Sequence, residues 1–114
     1  MNDRFRYRIP VYKNNEFDGY IYICLGDKIP DLYGGRYGMA EQCTGLKDKN
    51  GTLIYEGDIV EFDGDFRGDI AWDEDAGCWA IRTTENTIYT FDNFYGYELE
   101  IVGNIHKNPE LLEQ

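Results

Sequence analysis

The sequence predicts a mostly β fold that rolls part of the chain into a small barrel, and three observations carry this. Residues 4–12 (RFRYRIPVY) alternate charge and bulk with period two, the signature of a half-buried strand. Five or six short β-branched and aromatic runs follow, punctuated by Gly, Asn and Asp every 8–12 residues, a spacing that suits a small barrel or tightly rolled sheet. Ten Tyr, six Phe and two Trp in 114 residues can bury enough apolar surface to hold such a sheet together. This length allows one domain, or one small domain with an arm.

In the first strand, Phe5, Tyr7 and Ile9 share one face and Arg4, Arg6 and Arg8 the other. Pro10 has no N–H for a ladder, so it is expected to end the strand or hold it at a sheet edge. Asn14, Asn15 and Asp18-Gly19 supply turn chemistry, and GYIYICL (19–25) reads as the second strand. Residues 26–42, with Pro30, Gly34, Gly35 and Gly38, read as an ordered loop with one helical turn. Lys47 to Gly51 is expected to close a hairpin whose Asn50-Gly51 pair supplies the positive-φ positions, with Thr52 to Tyr55 the strand beyond it. DIVEF (58–62), IAW (70–72), CWAIRTT (78–84), TIYTF (87–91) and YELEIVGNI (97–105) read as further strands. Between them DGDFRGD (63–69), DEDAG (73–77), Glu85-Asn86 and 92–96 read as turns. Gly103 inside a strand pattern fits a bulge or a close backbone approach. Asn108 as N-cap, Pro109 at the first helical position and Glu110 in the first turn predict a terminal helical turn.

Charge narrows the function classes. The formal charge is −11, from 22 Asp and Glu against 11 Lys and Arg. Binding to a nucleic-acid backbone needs a cationic face to displace counterions, so direct nucleic-acid contact is not expected, nor is docking on anionic lipid. The sequence has no serine, which removes every serine-nucleophile mechanism. Cys24, Cys43 and Cys78 are odd in number and form no CxxC pair, so reduced thiols are expected rather than a disulfide framework or a zinc site. No cofactor is expected. MNDRFRYRIP lacks the apolar core of a signal peptide, and the longest apolar run, residues 20–25, is far too short to cross a bilayer. A soluble, cytoplasmic protein is the expectation.

Two segments go beyond periodicity: QCTGLKDKNGTLIYEGDIVEF (42–62) and EIVGNIHKNPELLE (100–113). With a short N-terminal strand of the FRYR type, they resemble the YopX family of phage- and prophage-encoded proteins, in which two such blocks bracket a variable β-rich middle. Thr44 to Gly51 and Ile54 to Val60 match the first block. Ile101, Gly103 to Ile105 and Asn108 to Leu112 match the second. Tyr7-Arg8 stands where the family usually has Trp-Asp. The resemblance implies an SH3-like β-barrel in the C-terminal part, homo-oligomers in a host bacterial cytoplasm, and no catalytic activity, since the family has none assigned. It divides the chain into an N-terminal β arm and Gly-rich loop (1–41) and a barrel region (42–114). The motif residues themselves read first as backbone geometry, because turn residues have that role available locally.

The sharpest chemical candidate is the stretch 63–74, which has the spacing of a twelve-residue calcium loop. It fails at its fifth position, where Arg67 replaces an oxygen ligand, and its flanks read as strands where helices are required. Asp63, Asp65, Asp69 and Glu74 remain weak candidates for a divalent cation. His106 reads as a surface or capping residue, since no nucleophile or second ligand lies near it in sequence. Gly34 to Gly38 lacks the spacing of a phosphate loop.

Charge distribution is more informative. Residues 1–15 carry a net +3, with Arg4, Arg6 and Arg8 as a basic arm. Residues 56–76 carry a net −8, and Glu56, Asp58, Glu61, Asp63, Asp65, Asp69, Asp73, Glu74 and Asp75 form the expected partner-binding patch. The arm could meet the acidic barrel of another copy, or the patch could engage a basic host or phage protein. The expected function is a non-enzymatic, oligomeric protein-interaction module of a phage or prophage. The alternative is an acidic inhibitor that resembles DNA charge and occupies a DNA-binding protein. A metal-dependent nucleic-acid-processing factor is the enzymatic alternative, and it lacks a recognisable catalytic constellation.

Overall fold

The structure, a computed structural model, describes residues 3–31, 34–62, 66–83, 88–90 and 99–113. Among these it is mostly β: ten strands, with 3-10 turns at Asp3–Phe5 and Pro109–Leu112. One antiparallel sheet contains β1 (Arg6–Lys13), β2 (Glu16–Cys24), β3 (Gly35–Tyr37), β4 (Glu41–Lys47) and β5 (Leu53–Tyr55), in the order β2-β1-β4-β5, with β3 also paired to β1. The second contains β6 (Asp58–Phe62), β7 (Phe66–Asp73), β8 (Cys78–Thr83), β9 (Ile88–Thr90) and β10 (Glu100–Asn104), in the order β10-β6-β7-β8-β9. This second sheet curls into half a barrel. Val60, Phe62, Ile70, Ile81 and Leu99 fill its inner face together with Ile54 of β5, and Trp79, Tyr89 and Ile101 pack against them. These apolar side chains are what holds the curl closed.

The N-terminal segment is not an arm. β1 lies inside its sheet, pairing with β2 on one side and with β3 and β4 on the other. The expected boundary between residues 41 and 42 falls within β4, next to Glu41, which pairs with Arg8 of β1. Pro10 sits inside β1 rather than ending it. Its carbonyl accepts a bond from the Gly38 amide at 2.8 Å, so its nitrogen faces the same side of the strand. That side is the gap between β4, which pairs with Tyr7 and Arg8, and β3, which pairs from Val11 onward. The missing N–H therefore costs no ladder bond. The simple alternation also gives way: Arg8, Ile9, Pro10 and Val11 are buried in succession, because this strand is covered on both faces.

Turn chemistry is partly relocated. Positive φ falls on Asn14 (53°) and Asn15 (64°), the two-residue turn from β1 to β2, as a hairpin of primed type requires. At Asn50-Gly51 only Gly51 is left-handed (φ 84°), and the connection is organised by Asp48. The loop expected over 26–42 contains β3 and no helical turn among the described residues. The turn expected over 63–69 is shorter than its Gly and Asp content suggests, since Phe66–Asp69 already belong to β7 and pair with β6. Gly68 is required there by close approach: a Cβ would lie 2.5 Å from the Arg82 carbonyl oxygen. Glu85-Asn86 and 92–96 lie outside the described residues.

Candidate functional site

The two sheets meet at a buried ion cluster. Arg8 on β1, 4% exposed, donates from Nε to Glu41 at 2.7 Å and lies 2.8 Å, through Nη1, from Asp58. Its Nη2 donates to the Glu56 carbonyl at 3.0 Å. Glu41 opens β4, and Asp58 opens β6 while accepting the Tyr55 amide at 2.8 Å. One guanidinium thus ties β1 and β4 of the first sheet to the first strand of the second. Its fork geometry suits two carboxylates. The guanidinium carbon also lies 4.1 Å from the Tyr20 ring centre and 5.0 Å from that of Tyr55, a cation–π enclosure.

The chain of contacts continues to His106, in the turn after β10. Its Nε2 is 2.6 Å from Glu41 Oε2, and its Nδ1 is 2.6 Å from the Tyr12 hydroxyl. A carboxylate only accepts, so in the neutral ring the proton is on Nε2, which donates to Glu41, while Tyr12 donates to Nδ1. The Phe17 ring stacks on the imidazole at 5.6 Å. Both ring nitrogens are occupied within the chain, and the expected surface or capping role gives way to an internal link. Gly57 lets Glu41 reach this position. It has φ 87°, and a Cβ there would lie 2.7 Å from Glu41 Oε2.

Burial sets the electrostatics of this cluster. Desolvation pushes the Asp58 carboxyl up to about 6, against the pull of Arg8 and the Tyr55 amide. Desolvation also works against the Arg8 charge, but Asp58, Tyr20 and Glu41 outweigh it and hold its pKa above the usual value. The Tyr20 hydroxyl has no hydrogen-bond partner among the described residues, and burial raises its pKa. The chemistry this arrangement performs is to keep a cation charged inside the protein and to brace two sheets through it.

A second feature lies at the open end of the curled sheet's inner face. Trp72 and Trp79 are directly paired across β7 and β8, edge to face with ring centres 5.2 Å apart, and Trp72 is 49% exposed. They line a cleft of about 580 Å³ with Gln42, Thr44, Glu56, Gly77 and Cys78. The β7–β8 turn is held by the Gly77 amide on the Asp73 carbonyl (2.8 Å) and the Asp75 amide on Asp73 Oδ1 (3.1 Å). This places Asp73, Glu74 and Asp75 at the end of the tryptophan pair. A smaller pocket of about 100 Å³ beside Trp72 is lined by Asp73 and Glu74.

The family model described as YopX protein matches residues 11–113. The chain belongs to the YopX family. No curated protein matches it.

The two blocks that resemble YopX sequences act on the backbone. Asp48 is buried, and its two oxygens accept the amides of Asn50 and Thr52 (2.9 Å each) and of Ile101 (3.1 Å), joining the β4–β5 hairpin to β10. Thr44 Oγ1 donates to the Ile54 carbonyl at 2.8 Å. Asn104 Oδ1 accepts the amides of His106 and Lys107. Asn108 holds the N-cap position without capping; its Oδ1 accepts the Asn104 amide at 3.3 Å instead. Gly103 sits at a register shift of β10, where a Cβ would lie 2.6 Å from Asn108 Oδ1.

The expected patch of this YopX chain divides on folding. Asp58 and Asp69 are buried, Asp69 against Arg82 at 2.6 Å, so neither faces a partner. Glu61 is held by Arg67 at 2.5 Å, and Glu56 is half-buried in the tryptophan cleft. Asp73, Glu74 and Asp75 remain together at the β7–β8 turn. Asp63 and Asp65 lie outside the described residues. Asp69 lies in the middle of β7 and Glu74 just past its end, and no group of three or more metal-ligating side chains gathers among the described residues. Of the basic residues, Arg8 is internal, Arg6 pairs with Asp3 at 3.1 Å, and the Arg4 side chain lies outside what is described. No described helix is long and apolar enough to cross a membrane. The Arg8–Glu41–His106 link escapes sequence reading because its members lie 33 and 65 residues apart. The signals in the sequence are Arg8 ahead of the apolar run Ile9 to Val11 and, far along the chain, the single His106.

Proposed function

We propose that this chain is a phage or prophage accessory protein that works as a non-enzymatic protein-interaction module, docking its partner on the tryptophan face of β7 and β8. The observation that carries this is the half-exposed Trp72 paired with Trp79 beside a cluster of unburied carboxylates. Aromatic anchors in a cleft with a polar rim are the usual composition of an interface centre. We read the second sheet as an SH3-like barrel, supported by its five-stranded antiparallel order in which the last strand joins beside the first. Self-association of the module is supported at β2, an edge strand among the described residues, where Tyr22 and, just beyond the strand, Leu25 are exposed.

The test is capture of a bacterial binding protein by the tagged chain, run beside Trp72→Ala and with duplex DNA as competitor. Capture that survives DNA and is lost in Trp72→Ala supports the module. Displacement by DNA supports the alternative of an acidic inhibitor resembling DNA charge. Capture by Trp72→Ala at the wild-type level refutes this face as the docking surface. Light scattering at low and high salt tests self-association, and a strict monomer in both removes it.

A further inference from the structure

We propose that the cleft between β4 and the β7–β8 hairpin seats a lysine- or arginine-bearing segment of a different protein, one cationic side chain lying on the Trp72–Trp79 pair beside Glu56, with Glu74 and Asp75 on the adjoining turn. This rests on the reading of that face as the docking surface and names the chemistry of its occupant.

Three observations converge on a cation. The first is the indole pair itself, the best aromatic surface for a positive charge, left half open to solvent at Trp72. The second is Glu56, which lines the cleft and accepts a long bond, 3.5 Å, from the Gln42 amide. Burial raises its pKa, and an arriving cation would relieve that cost. The third is the turn that adjoins the cleft at Gly77 and Cys78, whose Glu74 and Asp75 are exposed and whose residues 72–79 include no Lys or Arg.

Other occupants fit less well. Exposed indoles suit the stacking of bases, but the surrounding carboxylates repel phosphate. A second copy carries the same −11 charge. Its Arg6, Lys13, Lys49, Arg67 and Arg82 each already have a carboxylate within 4 Å on their own chain. A foreign cationic segment satisfies the indoles and the carboxylates together.

Trp72 and Trp79 are the only tryptophans in the chain, so indole emission reports this site alone. The full-length protein is titrated at low salt with hexalysine and with a Gly-Ser hexapeptide, following both emission and the heat of binding. Expected are a saturable emission change with hexalysine alone, weakening on addition of salt, and affinity lowered roughly fivefold in Trp72→Leu. Glu74→Gln/Asp75→Asn should show a similar loss. Glu16→Gln/Asp18→Asn, on β2 in the other sheet and outside the cleft, should bind as the wild type does. Three outcomes overturn the proposal: equal affinity in Trp72→Leu, equal loss in the distal variant, or the same response to the neutral peptide. If the captured partner depends on Trp72 but hexalysine does not bind, the docking face stands and its cationic occupant falls. If the partner ignores Trp72, the docking face itself falls.

Discussion

Replacing Arg8 with methionine keeps most of the side-chain volume and removes the guanidinium charge that balances Glu41 and Asp58. In the native protein that guanidinium meets both carboxylates within 2.8 Å and the Glu56 carbonyl at 3.0 Å, between the rings of Tyr20 and Tyr55. Breaking one side of a buried pair leaves uncompensated charge and costs about 3–5 kcal/mol. For a chain of this size that corresponds to a melting temperature lower by roughly 12–20 °C. The cost should depend on pH. Burial already pushes Asp58 up to about 6, and without Arg8 its neutral form is favoured further. The deficit of Arg8→Met relative to wild type should therefore be largest near pH 8 and shrink as the pH falls toward 6, because protonation of Asp58 in the variant sets in above the wild-type value. Urea unfolding of both proteins at pH 5 and pH 8 measures this directly. A deficit below about 1 kcal/mol, or one identical at the two pH values, would refute the enclosed cluster as the brace between the sheets.

Four further outcomes are expected. In the wild type, the raised Asp58 pKa means that folding favours its protonated form. Its contribution, about 3 kcal/mol for a shift of this size, is present below its ordinary value of 3.8 and is lost as the pH rises through about 6; Asp58→Asn should flatten that part of a stability–pH curve. Gly57→Ala places a Cβ against Glu41 at a left-handed position and should cost roughly 1–3 kcal/mol by urea unfolding. Asp48→Ala strips the acceptor from three amides and should cost roughly 2–4 kcal/mol; in amide exchange the losses should centre on Asn50, Thr52 and Ile101. Cys43 is fully buried with its thiol pKa raised by desolvation, so a thiol reagent should label Cys24 and Cys78 first and reach Cys43 only on unfolding.

Much of the fold could be read locally. Most of the strands, the β7–β8 turn with Gly77 at φ 68° and the terminal Pro109 turn all stand where short-range chemistry puts them. The misreadings share one cause. Pro10 looked like a terminator because a missing N–H matters only if the opposite strand needs it, and here the ladder is interrupted at that position. Phe66–Asp69 looked like a turn because Gly68 is a turn residue by propensity, whereas its role is to let the β8 backbone approach. The acidic patch was legible as a composition, but which carboxylates are spent inside the protein was not.

The sequence by itself determined that the chain is β-rich and strongly acidic, that it carries the YopX blocks, and that its turns form at Asn, Asp and Gly. These follow from periodicity, net charge and preferences spanning a few residues. Only the tertiary structure decided that Arg8 belongs to Asp58, Glu41 and, through it, His106, and that Trp72 stands open while Asp69 is closed away. Those outcomes depend on which strands become neighbours and how much water they exclude. A charge is worth little on the surface and several kcal/mol when enclosed, and enclosure is a property of the assembled sheets.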